Sequence, residues 1–571
     1  MAGCQAAISH RRLFESDWPV GWVIPGCKVE DSVREKRHYD FIVTGAGSAG
    51  CVLAARLSES GKYRVLLLEA GAEDKGFWVH TPLGYPMLFA NPRVNWMFDS
   101  EPLPELNGRT TYMPRGKILG GTSSINGMVY IRGHPRDYDG WRQRGCAGWD
   151  FDNVLPYFRR AEDQSRGADD FHGAGGPLKV SDHQETYSLA DAFIEAGVQA
   201  GIPANRDFNG DRQEGIGYYQ TNTYRGRRWS TAKGYLKPAR SRANLDVETG
   251  AHVTSIRVEG GVATGIEYRT PHGVAIAHAR REVVVAGGVF GSPQLLMLSG
   301  IGPADHLQSH GIPVVRDVPT VGANLHDHFY IQLMFRSTEP VTLNDVARSR
   351  IRQLKAGLQY VLLRKGVLST NGIYAGAFVR TDPAFERPDL QINMNAWSVA
   401  TRTRSGMEPH PFPGFTLSPV HLRPEGRGEV RLKSADPMAP PSIRFKFLTS
   451  DYDMRAMIAG VRLVRKISQQ GALRRFVAEE MQPGQDCDSQ ADMEAFVRRL
   501  AYANLHPVGT CRMGSDAAAV VDPRLRVNGV GSLRVVDASI MPDIVAGNTN
   551  APTIMIAEKA SDMILADARA A

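Results

Sequence analysis

The chain has 571 residues, of which 42% are hydrophobic and 22% charged, and its formal net charge is +7. This composition is typical of a globular protein with more than one domain. The basic residues are scattered and form no stripe interleaved with aromatic residues, so we predict no nucleic-acid partner.

The six cysteines form no C-x-x-C pair. This pattern indicates a reduced compartment and not a disulfide scaffold, and no metal site is predicted. Residues 1–37 precede the first predicted domain as an N-terminal extension. Arg11 and Arg12 faintly resemble an export signal, but Glu15 and Asp17 lie where the apolar core of such a signal should begin, so export is not expected.

An uncharged run at residues 283–302 is long enough to cross a bilayer. Gly287, Gly288 and Pro293 interrupt any single helix there, so we predict no transmembrane segment. We expect a cytoplasmic protein, and peripheral contact with the inner membrane face remains an open alternative.

Residues 39–71 carry the first functional pattern in the chain. An apolar run at residues 41–43 predicts a buried strand, and residues 51–58 have helical spacing. Between them lies the G-x-G-x-x-G turn formed by Gly45, Gly47 and Gly50. Such a turn permits close approach of a pyrophosphate, which the N-terminus of the helix then binds.

A second buried strand at residues 65–68 ends at Glu69, 19 residues after Gly50. A carboxylate at this distance accepts hydrogen bonds from an adenosine ribose. It would also repel a 2′-phosphate, so the expected ligand is FAD or NAD and not NADP.

A second glycine-rich loop occupies residues 115–132. After it, residues 141–162 are predicted as a helix broken at Pro156, and residues 189–200 as another helix. Residues 245–256 and 265–269 alternate like the strands of an antiparallel ribbon.

A third strand–turn–helix pattern follows at residues 282–302. Residues 282–286 predict a buried strand, Gly287 and Gly288 form the turn, and Ser292 is the expected N-cap of a helix with Pro293 at its first position.

Residues 331–500 alternate between strand and helix patterns, which indicates a sheet backed by helices. The nucleotide-binding pattern returns near the C-terminus. A strand at residues 533–536 ends at Asp537, a loop holds Asn548 and Asn550, and a helix is predicted from about residue 552 to 565.

Four blocks of the chain resemble the glucose–methanol–choline (GMC) flavoprotein oxidoreductases, and most of all the choline dehydrogenase-like alcohol dehydrogenases. They are the Gly45 turn, the loop at residues 116–132, residues 287–302, and the terminal pair at residues 506–514 and 535–553. The resemblance covers about residues 38–568.

The resemblance implies an α/β fold with a Rossmann-like FAD-binding domain interleaved with an α+β substrate-binding domain of one sheet plus helices. The FAD-binding domain is predicted to comprise residues 38–185, 229–330 and 505–571. The substrate-binding domain is predicted to comprise residues 186–228 and 331–504.

The family resemblance further implies oxidation of an alcohol to the aldehyde, with hydride transfer to flavin N5 and oxygen or a quinone as electron acceptor. His506 is the expected general base, because histidine titrates near neutral pH. Asn550 is the expected second catalytic residue, although asparagine at that position is also a good helix N-cap.

FAD contacts are predicted throughout the four blocks and at four positions outside them. They are Gly45, Gly47, Ser48, Ala49, Gly50, Glu69, Ala70, Gly116, Gly120, Gly121, Ser123, Asn126, Gly127, Met128, Val129, Val253, Ala286, Gly287, Asp537, Ala538, Asn548, Pro552 and Thr553.

Two departures from the family pattern refine these expectations. The loop at residues 122–126 contains no histidine, so the FAD is predicted to be non-covalent. Choline-specific members carry a carboxylate where Tyr374 stands in this substrate pocket, which favours a neutral primary alcohol over choline. Choline oxidation, a lyase or photodecarboxylase on the same scaffold, and a binding module without catalysis are the alternatives.

Overall fold

The computed structural model describes residues 34–570, with side chains from His38 onward. The N-terminal extension predicted for residues 1–37 therefore lies almost wholly outside the described residues, as do the two arginines at positions 11 and 12. The first strand, Arg34–Thr44, begins before residue 38 and leads into the glycine turn.

One sheet of seven strands contains the dinucleotide-binding unit. In order across the sheet its strands are Leu245–Thr249, Val65–Glu69, Arg34–Thr44, Gly273–Val285, Val262–Thr270 and His252–Glu259, and Leu533–Val535 pairs with Gly273–Val285. Four strand pairs are parallel, and they join, in order, Leu245–Thr249, Val65–Glu69, Arg34–Thr44, Gly273–Val285 and Leu533–Val535. The two pairs that Val262–Thr270 forms with its neighbours are antiparallel.

The ribbon predicted from residue 245 onward is therefore two different structures. Leu245–Thr249 joins the parallel part of the sheet beside Val65–Glu69, and the antiparallel ribbon begins only at His252. Both segments alternate in sequence, so the pattern alone could not distinguish the partner strand.

The central strands are buried because helices cover them. Phe41, Ile42 and Val43 have no exposed surface, and all of Val65–Glu69 is buried. The helix Ser48–Leu57 packs on these strands and against the final helix, Asn550–Ala570. The glycine turn thus lies between buried strands and a packed helix.

A second sheet of eight antiparallel strands forms the other half of the molecule. In order its strands are Val477–Gln482, Leu333–Ser337, Gly414–His421, Leu390–Asn395, Ile373–Val379 and Gly215–Tyr218, and Phe329–Tyr330 pairs with Gly414–His421 and Tyr502–Ala503. The helices Asp451–Ser468 and Ser188–Gln199 pack on this sheet.

The chain crosses between the two sheets more than once. Strands of the first sheet come from residues 34–285 and 533–535, and strands of the second from residues 215–218 and 329–503. The predicted fold class, a Rossmann-like sheet interleaved with a second sheet plus helices, is confirmed. The exact domain boundaries stay a prediction.

The described helices are Ser48–Leu57, Phe77–His80, Tyr85–Phe89, Pro135–Gln143, Phe151–Ala161, Ser188–Gln199, Lys237–Ala239, Gly288–Leu298, Ala304–Ser309, Leu343–Arg348, Arg350–Leu363, Asp451–Ser468, Gly471–Arg474, Gln490–Leu500 and Asn550–Ala570. Shorter strand pairs are Phe98–Asp99 with Tyr112–Met113, Glu162–Gln164 with Leu178–Val180, Thr223–Tyr224 with Arg227–Arg228, Ile301–Gly302 with Arg316–Asp317, Val399–Thr403 with Gly406–Pro409, and Glu429–Arg431 with Ser442–Arg444. Within residues 34–570, no helix combines the length and apolarity needed to cross a membrane.

Two predicted helix positions were wrong. The helix expected at residues 141–162 is Pro135–Gln143 followed by Phe151–Ala161, and Pro156 lies inside the second helix instead of breaking it. The helix expected to begin at Ser292 begins at Gly288. Ser292 donates a hydrogen bond to Asp537 (2.6 Å) and therefore links the helix Gly288–Leu298 to the loop that follows the strand Leu533–Val535.

Candidate active site

A cavity of about 810 Å³ is lined by residues from both sheets. The glycine turns line one part of it. The second sheet contributes Ile373, Asn393, Asn395 and Ser418, which lie side by side because Ile373 pairs with Asn395 and Asn393 pairs with Ser418. This volume is within the range of cofactor and ligand pockets.

The first glycine turn has the geometry of a phosphate-binding loop. A Cβ at Gly45 (φ +92°) would lie 2.6 Å from the carbonyl oxygen of Ala286, and one at Gly50 only 1.8 Å from that of Gly45. A Cβ at Gly47 would meet no protein atom within 4 Å. Gly45 and Gly50 therefore permit tight packing, whereas Gly47 leaves the backbone open toward the cavity.

The second glycine loop packs directly on the first. The N–H of Gly120 donates to the carbonyl oxygen of Ala46 (2.7 Å), and a Cβ at Gly121 would lie 2.7 Å from the Cα of Gly47. Ser123 donates to the carbonyl oxygen of Gly120 (2.6 Å). The two loops thus form one continuous lining.

Glu69 is a buried carboxylate at the edge of this lining. Its oxygens accept hydrogen bonds from the backbone N–H groups of Ala46 (3.0 Å) and Gly71 (2.8 Å). Burial raises the pKa of Glu69 to about 7. Each carboxylate oxygen has a second lone pair, so these contacts leave acceptor capacity on the cavity side.

Asp537 closes the third turn. It accepts hydrogen bonds from the N–H of Gly288 (2.9 Å) and from Ser292, and its other oxygen accepts from the N–H of Ser539 (2.8 Å). Asp537 therefore holds the start of the helix Gly288–Leu298 at the cavity wall.

Most of the predicted FAD contacts line this cavity. Those that do not are Gly50, Gly120, Ser123 and Pro552. Gly50, Gly120 and Ser123 lie behind the lining and support it through the contacts described above. The open backbone at Gly47, the helix N-terminus beside it and the carboxylate of Glu69 are the groups that a bound FAD requires.

His506 lies in the same cavity, between polar groups on both ring nitrogens. Its Nε2 is 2.9 Å from the amide nitrogen of Asn548, and its Nδ1 is 3.2 Å from Nδ1 of His328 and 3.2 Å from the amide nitrogen of Asn504. Burial and the positive charge of Arg115 lower the pKa of His506 to about 3. The imidazole is therefore neutral at physiological pH.

The backbone of His506 is also held in place. Its N–H donates to Asp327 (2.8 Å), and Arg115 donates to the carbonyl oxygen of the preceding Leu505 (2.7 Å). Burial raises the pKa of Asp327 to about 8 and lowers that of Arg115 to about 10. Within residues 34–570, no cluster of side chains is arranged to bind a metal ion.

Comparison with known families decides which group of proteins this site belongs to. The family model described as GMC oxidoreductase matches residues 39–330, and a second GMC oxidoreductase model matches residues 424–557. The chain is a GMC oxidoreductase. The resemblance predicted from the four sequence blocks is confirmed.

Two relatives of known name are similar over nearly the whole length of this GMC oxidoreductase. "Alcohol dehydrogenase [acceptor]" from Pseudomonas putida is 43% identical, with 92% of this chain and 96% of that protein covered. Mitochondrial choline dehydrogenase from Homo sapiens is also 43% identical, with 93% and 90% covered.

Among solved structures, a variant of formate oxidase from Aspergillus oryzae, studied for its FAD modification, has a TM-score of 0.87 at 26% identity, with 93% of this chain and 99% of that chain covered. The two folds are thus similar over nearly the whole length of both chains.

Asn550 does not occupy the place that the sequence predicted for it. Its side-chain oxygen accepts a hydrogen bond from Ser48 (2.7 Å), which ties the first residue of the final helix to the first residue of the helix Ser48–Leu57. The amide beside His506 belongs to Asn548. Both asparagines lie in one short loop, and the sequence does not show which side chain turns toward the histidine.

Tyr374, predicted in the substrate pocket, is absent from the cavity lining of this GMC oxidoreductase. Its ring stacks on Tyr187 at 4.4 Å, and its hydroxyl accepts a hydrogen bond from Thr370 (3.0 Å). The side chain that reaches the cavity is its neighbour Ile373. The strand is irregular between Ile373 and Ala375, and this bulge sets the directions of the two side chains.

Several residues around His506 were not predicted from the sequence as part of the site. Arg115, Asp327, His328 and Asn504 all contact it or its immediate neighbour. A signal was available for two of them, because Asp327 and His328 belong to a polar run between apolar residues at positions 325 and 329–331. Buried polar residues of this kind need partners, which here lie in the active site.

Proposed function

We propose that this protein catalyses the FAD-dependent oxidation of a neutral primary alcohol to the aldehyde, with His506 as general base. The observation that carries the proposal is the pairing of His506 with the amide of Asn548 (2.9 Å) in a cavity that the glycine turns also line. A base and a hydrogen-bond donor side by side are what a reacting hydroxyl group requires.

Bound FAD would supply the hydride acceptor in this reaction. We propose that Gly47 and the helix N-terminus beside it bind the pyrophosphate, and that Glu69 binds the adenosine ribose. We further propose that the FAD is non-covalent. Within the described residues, the only histidines lining the cavity are His252 and His506, and His506 is assigned to the base.

The proposed role of His506 requires a proton on Nδ1, so that Nε2 can accept one. Nδ1 of His328 lies 3.2 Å from Nδ1 of His506 and is the acceptor that would hold this tautomer. The amide of Asn504, whose nitrogen lies 3.2 Å from the same atom, would then turn its oxygen toward the ring. Nε2 would then receive the hydroxyl proton of the alcohol while Asn548 donates a hydrogen bond to the substrate oxygen. His328 is thus a positioning residue, and His506 is the catalytic one.

Charge within the cavity favours a neutral substrate. In the described residues, the carboxylates that line the cavity are Glu69, Asp99 and Asp537. Each already has partners in the protein, and Asp99 forms an ion pair with Arg404 (3.0 Å). Arg402 lines the same cavity and is hydrogen-bonded to Tyr330. A cationic substrate would lack a counter-ion and be repelled by Arg402.

Choline is the second candidate substrate. The similarity to human choline dehydrogenase favours it, and so do the aromatic rings of Tyr85, Tyr330 and Trp397 in the cavity lining. Aromatic faces attract quaternary ammonium groups. A neutral alcohol remains the preferred substrate because the rings share the cavity with the positive charge of Arg402.

Anaerobic titration of the purified yellow protein tests this proposal. A series of primary alcohols should bleach the flavin absorbance and yield aldehyde, while choline should bleach it more slowly at equal concentration. Repeating the assay with oxygen and with a quinone identifies the electron acceptor. Flavin that stays oxidised with every alcohol would refute the proposal and favour a lyase. Faster bleaching by choline would establish the second candidate.

A further inference from the structure

The helix Arg350–Leu363 presents an apolar face to solvent, the reverse of the usual arrangement on a globular protein. Its exposed apolar side chains include Ile351 (81% exposed), Leu354 (65%), Leu358 (52%), Val361 (55%) and Leu362 (74%). At about 100° per residue these five fall within one third of the helix surface, and Leu363 (65% exposed) lies outside that third. The buried side of the helix consists of Ala356 and Tyr360.

Basic residues surround this apolar face. They are Arg348, Arg350, Arg352, Lys355, Arg364 and Lys365, and no Asp or Glu occurs in the sequence between Asp345 and Asp382. All of them except Arg364 are exposed. On the helix, Arg350 and Lys355 lie at opposite edges of the apolar face. The segment is therefore both apolar and strongly positive.

Two exposed aromatic residues lie beside the helix, next to Tyr360 on its buried side. Phe77 is 48% exposed and Trp78 42% exposed, and the ring of Phe77 contacts that of Tyr360 edge-on at 5.9 Å. Lys75, just before them, is also exposed. Aromatic and basic residues together are typical of protein surfaces at the headgroup level of a membrane.

We propose that the apolar face of Arg350–Leu363 docks on an anionic lipid bilayer, with Phe77 and Trp78 beside the helix. With 14 residues, the helix is too short to span the hydrocarbon core. It would lie in the plane of the membrane, with its leucines among the acyl chains and its basic residues at the phosphate groups.

The positive charge around the apolar face favours an anionic bilayer over a second copy of this chain as its binding partner. Two copies joined by this face would bring their basic flanks together without a compensating carboxylate in the segment, whereas anionic headgroups neutralise each Arg and Lys. The segment that carries Phe77 and Trp78 continues to Tyr85 and Phe89, which line the cavity. Through the contact of Phe77 with Tyr360, the helix thus adjoins a segment that lines the cavity.

Co-sedimentation of the holoenzyme with vesicles tests the proposal. The parent should bind vesicles of phosphatidylcholine mixed with phosphatidylglycerol, and bind pure phosphatidylcholine more weakly. The triple variant Leu354→Gln/Leu358→Gln/Leu362→Gln should bind the anionic vesicles at least about tenfold more weakly because its apolar face is lost. The variant Arg350→Gln/Arg352→Gln/Lys355→Gln should bind them about 10²-fold more weakly.

A matched control substitutes three exposed valines elsewhere, Val198→Gln/Val262→Gln/Val315→Gln, and should bind as the parent does. FAD content and anaerobic reduction by alcohol report whether each variant is folded. The leucine variant binding anionic vesicles as tightly as the parent would overturn the proposal. A parent that ignores vesicles but forms a dimer, which the leucine variant dissociates, would assign the face to a second copy.

Discussion

At the scale of single residues, the two asparagines of the C-terminal loop have different tasks. Asn548 contacts His506, and Asn550 contacts Ser48. We expect Asn548→Ala to slow flavin reduction by about 10²-fold or more, because a donor to the substrate oxygen is lost. Asn550→Ala should reduce flavin at nearly the parental rate and lose about 1 kcal/mol of stability instead.

Stopped-flow reduction and thermal unfolding of both variants measure these two effects. The opposite assignment, a slow Asn550→Ala and a fast Asn548→Ala, would restore the role that the sequence predicted for Asn550.

The pH dependence of reduction follows from the state of His506. Burial and Arg115 lower the pKa of His506 to about 3. A histidine with a lowered pKa is protonated only below that pKa, so the active neutral form already dominates at pH 5. We therefore expect the rate of flavin reduction at saturating alcohol to be flat between about pH 5 and pH 7.

A titration near pH 8 would belong to Asp327, whose pKa is raised to about 8 by burial, and should persist in His506→Ala. A rate that climbs tenfold per unit between pH 5 and pH 7, with the slope abolished in His506→Ala, would place the pKa of His506 near neutrality and contradict this account.

The backbone geometry of the glycine turn was predictable from sequence, whereas the direction of individual side chains was not. The roles of Gly45, Gly47 and Gly50 agree with the clashes and the open space found at each position, because a turn of this kind has few backbone solutions. Asn548 and Asn550 are chemically identical, and the direction of each depends on contacts far away in sequence.

At the scale of elements, the first glycine turn makes a prediction that separates folding from cofactor binding. Gly47→Ala adds a methyl group that meets no protein atom within 4 Å, so the protein should fold normally. The methyl group would stand between the backbone and the pyrophosphate, and loss of one charge-assisted hydrogen bond should weaken FAD binding at least about tenfold.

Fluorimetric titration of the apoprotein with FAD measures this effect. Gly140→Ala is the matched control, because its Cβ also meets no atom within 4 Å and Gly140 lies in the helix Pro135–Gln143, away from the cavity. Unchanged FAD affinity in Gly47→Ala would show that the pyrophosphate does not approach this turn.

Strands and helices were predictable from sequence where the hydrophobic residues follow a clear strand or helix period. The strand Val65–Glu69 and the helix Ser188–Gln199 lie within one residue of their predicted ends. The partner of Leu245–Thr249 was not predictable, because parallel and antiparallel strands share the same alternation. The bulge between Ile373 and Ala375 likewise has no local signal, and Tyr374 lies within it.

At the scale of the whole molecule, two sheets built from interleaved segments line the cavity, and we expect the proposed cofactor to bind there without a covalent bond. The described part of the cavity lining contains no cysteine. We expect acid precipitation of the purified holoenzyme to release the yellow FAD into the supernatant. Colour that stays with the protein pellet would indicate a covalent link.

The interleaved arrangement itself was predictable because the nucleotide-binding pattern returns near residue 533 after a long different stretch. The meeting of His506 with His328 and Asn548 was not, since these residues are 178 and 42 positions apart in sequence from His506 and meet only when both sheets are in place. The exposed apolar face of Arg350–Leu363 is also visible only in the folded molecule.

The central claim is that His506 accepts the hydroxyl proton of the alcohol, and anaerobic stopped-flow reduction of His506→Ala tests it most directly. General-base catalysis contributes about 10²–10⁴-fold, so we expect flavin reduction at saturating alcohol to slow by that factor. FAD content should be unchanged, because the glycine turns and Glu69 hold the cofactor. A His506→Ala enzyme with full FAD content that reduces its flavin at the parental rate would show that the base lies elsewhere.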